Sequence, residues 1–147
     1  MSRQATGTYT ITSWDERTWD GRPWNEVPGA KVTHAIVKQA FTGAIVGEAI
    51  CQQLVAYSSD TYASFVGLHL VNGSIDGRSG SFVLQSSGVY ADNTARVTWF
   101  VVPGSGTGAL AGLSGQGGYT AGHADYPNVP YTLEYTCDQV LEGENDK

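Results

Sequence analysis

Apolar and polar residues alternate along most of this chain with the period of a β-strand, and almost nowhere with that of a helix. Runs rich in Val, Ile, Thr and aromatic residues, bounded by Gly, Asp, Asn, Ser or Pro, predict eight strands: 5–14, 30–41, 44–57, 62–75, 80–90, 94–102, 114–121 and 130–138. The one helical candidate is a single turn within 107–113. Eight strands joined by short turns suit a barrel or a sandwich. Several strands longer than ten residues favour a closed barrel, whose lumen holds one ligand or a side-chain filling. The expected fold is all-β, a single eight-stranded antiparallel β-barrel over residues 1–138. An acidic, flexible tail follows at 139–147.

Residues 63–118 define the faces. Short loops at Asp76-Gly77-Arg78-Ser79 and Asp92-Asn93 read as hairpin turns. A two-residue loop at the first sets His69 opposite Ser86, Val71 opposite Leu84 and Phe65 opposite Tyr90. One face then carries Phe65, Gly67, His69, Val71, Phe82, Leu84, Ser86, Tyr90, Val97, Trp99 and Val101, the aromatic and sparsely polar make-up of a ligand cavity. The other carries Val66, Leu68, Leu70, Val83, Gln85, Arg96, Thr98 and Phe100, too apolar for a fully solvated face, which points to a homo-oligomer. The preceding hairpin leaves two choices: a two-residue loop turns Glu48, Ile50 and Gln52 toward His69, and an odd-length loop turns Gly47, Cys51 and Tyr57 there instead.

Charge narrows the partners. Charged residues make up only 15% of the 147 residues and the net charge is −6, which argues against nucleic acid and anionic membranes. No run approaches the roughly 20 apolar residues of a membrane helix, and the first residues lack a signal-peptide core, so the expected location is the cytoplasm. There Cys51 and Cys137 are simplest as buried thiols. His34, His69 and His123 are scattered, so no metal site and no cofactor are expected.

The candidate chemistry rests on few residues. His69, between Leu68 and Leu70, is either a satisfied core histidine or an acid, base or donor to a ligand. Glu48, in an apolar strand, is a proton-transfer group if it faces the lumen and an ordinary surface charge if it does not. Trp14, Trp19 and Trp24 recur every five residues in a polar stretch, which reads as a loop packed on a barrel end or serving as its lid. Gly104 to Gly112 is glycine-rich but lacks the Lys-Ser/Thr of a phosphate loop, so it reads as a tight connection. His123 and Asp125 fall in a Pro-bounded loop that could line an opening.

The strings Gly7-Thr-Tyr, Ser13-Trp-Asp-Glu, Ala63-Ser-Phe-Val-Gly-Leu, Gly77-Arg-Ser-Gly-Ser-Phe-Val-Leu-Gln, Val102-Pro-Gly-Ser-Gly-Thr-Gly and Leu110-Ala-Gly-Leu together resemble a bacterial domain-of-unknown-function family over about residues 5–138. Members of that family look like allene oxide cyclase, a lipocalin-shaped barrel enzyme. The resemblance implies a cofactor-free isomerase or cyclase that folds an apolar small molecule into its reactive shape inside the barrel. Its ligand wall would be Phe65, Val71, Phe82, Leu84, Ser86, Tyr90, Trp99, Val101, Tyr131 and Tyr135, with Glu48, Tyr57 or His69 anchoring or protonating the substrate. The resemblance also implies an acidic residue at position 69 and a histidine at 86. This chain has His69 and Ser86, a compensating exchange at the lumen. Two other functions fit the same residues: a non-catalytic carrier of an apolar ligand, and an oligomeric structural protein with a filled lumen.

Overall fold

A computed structural model, which describes residues 2–137, follows the alternating runs with eight strands. They are β1 (Arg3–Thr18), β2 (Lys31–Gly43), β3 (Ile45–Ser59), β4 (Tyr62–Ile75), β5 (Arg78–Ala91), β6 (Thr94–Val101), β7 (Leu113–Gly122) and β8 (Asn128–Cys137). Each pairs antiparallel with its chain neighbour, and β8 pairs with β1 to close the barrel. Among the described residues the helical structure is three 3-10 turns, Trp24–Glu26, Gly108–Leu110 and His123–Asp125, where the pattern suggested one. The tail expected at 139–147 lies outside the described residues.

Turn chemistry sets the register. The β4–β5 hairpin turns through Asp76 and Gly77, at φ of 48° and 87°. Both central residues of a type I′ turn need positive φ, which Asp and Gly accept and Arg78 resists. Ile75 therefore pairs with Arg78, and His69 with Leu84. The expected pairing of His69 with Ser86 placed the turn one residue too late, so the true register lies two residues away. A two-residue shift keeps parity, and the two faces of β4, β5 and β6 stand as expected. The β5–β6 turn uses Asp92 and Asn93, at φ of 54° and 57°, in the same way.

Two strands carry a bulge, β3 at its open end and β1 part-way along. β3 pairs Ser59 with Tyr62 and then Tyr57 with Ala63, which leaves Ser58 as a bulge. The loop is the two-residue one, yet the bulge turns Gly47, Cys51 and Tyr57 inward and Glu48 outward. In β1 the register slips between Ile11 and Ser13. Below that bulge Ala5 and Tyr9 point into the barrel; above it Glu16 does.

One end is closed. Residues 102–112 fold back over it, with Val102 N donating to Val83 O at 2.9 Å and Thr107 N to Ser81 O at 2.9 Å, along the part of β5 that β6 does not reach. Leu110, fully buried, seals the end and belongs to the same core as Ile45, Ile75, Phe82, Leu84, Val101 and Leu113. The stretch with phosphate-loop looks is thus a plug. An eight-stranded barrel is just wide enough for side chains to fill it, and the middle here is filled by the rings of Tyr9, Phe41, Trp99 and Tyr131, with centroids 5.2 to 6.5 Å apart.

Candidate functional site

The other end is open. Tyr57, Phe65, Tyr90, Tyr119 and Ala121 point inward there and remain only half-buried. These residues ring the open end as an aromatic cup whose side chains water partly reaches. Past Thr10, β1 pairs with β2 but no longer with β8, which leaves the wall incomplete beside Trp14. Phe65 lies flat on the wall because its cross-strand partner is Gly88: a Cβ on Gly88 would stand 2.9 Å from Phe65 Cζ and 2.7 Å from Arg96 O. Gly88→Ala is accordingly expected to displace the Phe65 ring and lower stability by about 1–3 kcal/mol, read from thermal unfolding. A neutral result would mean that the ring is not fixed there.

His69 lies beneath the cup, four residues from Phe65 on the same face of β4, and is fully buried. Its Nδ1–H donates to Gln39 Oε1 at 2.9 Å, which fixes the tautomer. Its Nε2 accepts from the Ser86 hydroxyl at 3.0 Å, and Cys51 Sγ stands 3.7 Å from the same nitrogen. Gly67 O, at 3.4 Å, is the alternative acceptor for the single Ser86 proton. The Trp99 ring meets the imidazole edge-on at 5.5 Å. Burial pulls His69 down to about 4, so it is neutral at pH 7. Burial pushes the Cys51 thiol up to about 12, so Cys51 is a protonated thiol and a poor nucleophile. Gln39 also engages the hydroxyl of Tyr9, itself raised well above its ordinary value by burial.

The rim is organised by Glu16, a buried carboxylate. Thr33 Oγ and Tyr57 OH each donate to its Oε2 at 2.6 Å, and Trp14 Nε1 donates to Oε1 at 3.1 Å. Burial first, and then the hydrogen bond to Glu16, hold the Tyr57 phenol well above its ordinary range, so it stays a donor. The segment between β1 and β2 straps across this rim. Trp24 stacks on Tyr57, nearly parallel at 6.3 Å. The Lys31 side chain is only 5% exposed: its ammonium sits 4.3 Å from the Tyr57 ring centre and 3.6 Å from Asp60, and it donates to Gly29 O at 3.3 Å. Asp60 also accepts from Gly29 N at 2.8 Å and pins the strap.

The residues singled out from sequence now divide. His69, Ser86 and Trp99 meet beneath the cup, and Phe65, Tyr90 and Tyr57 line it. Val71, Phe82, Leu84 and Val101 are packed in the closed half, and Tyr131 is buried in the filled middle. There Tyr131 donates to Thr42 O at 2.9 Å and accepts from Ile45 N at 3.0 Å. Tyr135 donates to Asp76 at the closed end. Glu48 is exposed on the outer face, cross-strand from Ala40 and Asn72, and is corrected from the lumen choice: the Ser58 bulge reverses the parity that the loop alone would set. Of the three tryptophans, Trp14 belongs to β1, Trp19 is well exposed and Trp24 packs on the rim. His123 and Asp125 lie in an exposed turn, where Asp125 accepts from Gly122 N at 2.8 Å. Sequence reasoning missed Gln39 and Glu16. Gln39 shares the parity of Ala35, Val37 and Phe41 and could have been read from that series. Glu16 sits among Asp15, Arg17 and Thr18, where no face is apolar and no alternation shows.

Fold and site define a small closed up-and-down barrel with a packed half and one open aromatic cup. The chain belongs to the DUF3224 family, described as proteins of unknown function, whose pattern matches residues 5–135. A similar solved structure is the crystal structure, at 1.84 Å resolution, of a protein with unknown function from the DUF3224 family of Shewanella oneidensis MR-1. It is 23% identical, with a TM-score of 0.76 over 95% of this chain and 100% of that one, a likeness of fold. No curated protein matches the chain. Among the described residues no helix is long and apolar enough to cross a membrane.

Proposed function

We propose that the chain binds a slender, mostly apolar small molecule in the cup and isomerises or cyclises it without a cofactor, by holding it in its reactive shape while a polar group moves or steadies a proton. One observation carries this reading: a neutral imidazole, fixed in one tautomer by Gln39, lies buried beneath the aromatic cup with its Nε2 lone pair turned to a hydroxyl. Such a group can accept a proton transiently from the substrate and return it to another of its atoms, with burial holding the charged form high in energy. The reaction conserves atoms and needs no co-reactant. Tyr57 and Cys51, the cross-strand partner of His69, are six residues apart on β3, about 20 Å. Tyr57 therefore meets the rim end of a ligand, as donor to an oxygen, while His69 meets the deep end. The reaction class is carried over from the resemblance to allene oxide cyclase expected from the sequence strings, and the free thiols Cys51 and Cys137 agree with a cytoplasmic location.

Native mass spectrometry of the purified protein, followed by extraction, is expected to find an apolar compound that fresh protein converts to an isomer of equal mass by NMR. His69→Ala should keep binding and lose turnover by about 100-fold or more, and Tyr57→Phe should weaken binding by about 10-fold. Unchanged turnover in His69→Ala removes its assignment, and absence of any bound apolar compound removes the reading as a whole. A carrier function is favoured by one observation, that both His69 ring nitrogens already have protein partners; binding without conversion in the wild-type protein would select it.

A further inference from the structure

The outer wall is apolar on one side only. Ile36, Ile50, Leu54, Val66, Leu68 and Leu70 point outward from β2, β3 and β4 and are 38% to 54% exposed. The register makes them neighbours: Ile50 faces Leu70, Leu54 faces Val66, and Ile36, Gln52, Leu68, Gln85 and Phe100 form one row across five strands. With Gln52, Gln85 and Phe100 the face exposes roughly 700 Å², its apolar part at the upper end of the patches that monomers show and the whole approaching what one partner gives to a standard interface. The opposite side is polar, with Thr6, Gln116, Thr120, Thr132 and Glu134 exposed.

We infer that this face joins two copies of the chain across a two-fold axis, sheet on sheet. Three features select a second copy. The area approaches one side of a dimer. The polar groups inside the patch are the amides Gln52 and Gln85 and the imidazole of His34, whose Nε2 lies 3.1 Å from Gln52 Oε1; the Gln52 amide group and Gln85 keep donors and acceptors that can pair with their symmetry mates as an isologous contact demands. Charge stands at the margin and in both signs, at Asp15, Arg17, Lys38 and Glu48, so the centre of the face is free of charge and two chains of net charge −6 can meet there. A lipid-spanning barrel would carry its apolar band around the full circumference and a polar lumen; this one has half a band and an apolar middle.

Sedimentation velocity of the full chain at about 50 µM is expected to show a dimer. Leu68→Asp and Leu54→Asp, both on exposed positions, should each weaken dimerisation by about 100-fold or more, while Thr132→Asp on the polar side leaves it unchanged. Circular dichroism and thermal unfolding check that each variant is folded, and two sites keep the test open if one variant fails. A wild-type monomer, a trimer, or dimeric Leu68→Asp and Leu54→Asp would each overturn the proposal.

Discussion

Trp99→Ala is expected to lower stability by about 3–5 kcal/mol, the range for removing a large buried aromatic. In a chain of this size that is a fall of roughly 10–15 °C in Tm. The indole is fully buried and packs against Tyr9, Phe41, Tyr119 and Tyr131, so its removal opens a cavity that rings on rigid strands cannot collapse to fill. Its Nε1–H donates to Thr132 O at 3.0 Å, and alanine leaves that carbonyl without this partner. The indole also meets the imidazole of His69, so the variant should loosen the layer beneath the cup as well as the core. Urea unfolding followed by far-UV circular dichroism measures the loss. A change below about 1 kcal/mol would show that the barrel middle is not packed around this ring.

The second large effect is a pH dependence. His69 titrates near 4 in the folded chain and near 6.5 once unfolded. Between those values the unfolded chain binds the extra proton, so stability falls as pH drops through the window and is fully present above about pH 6.5. From pH 7 to pH 4 the wild-type chain should lose about 3 kcal/mol more than His69→Gln, which lacks the titrating ring. The comparison isolates His69 from the carboxylates, which titrate in both proteins. Equal pH profiles would place the imidazole in contact with water, contrary to its buried hydrogen bonds to Gln39 and Ser86.

The alternation of residues 62–101 made three strands and both of their faces legible because Asp76-Gly77 and Asp92-Asn93 are turns of one type. Even a misplaced turn centre kept parity. The neighbouring strand resisted for a physical reason. Residues 45–55 are apolar on both faces, and one extra residue at Ser58 decides which set enters the lumen. No propensity distinguishes a bulged serine from one in a loop, so Glu48 and Tyr57 stayed interchangeable until the pairing was seen. Glu16 was hidden more deeply: its strand reads as a polar loop, and a slip near Thr12 turns it inward. Of the layer beneath the cup, His69 and Ser86 were legible; Gln39, which fixes the tautomer, was a polar member of an otherwise apolar series.

The β1 slip lies between the barrel middle and its open end, and this has a consequence for how the molecule can change. A strand without such a slip carries one inward set from end to end, as β3 does from Ile45 to Tyr57, and a substitution at its rim belongs to the same series as the core. With the slip, the upper and lower parts of β1 draw on different residue positions. The rim part of β1 can be rewritten in descent, with new carboxylates, hydroxyls or rings, while the lower series of Ala5 and Tyr9 keeps its spelling. A family with one scaffold and many ligands could arise this way, each member differing at the lip and agreeing at the base.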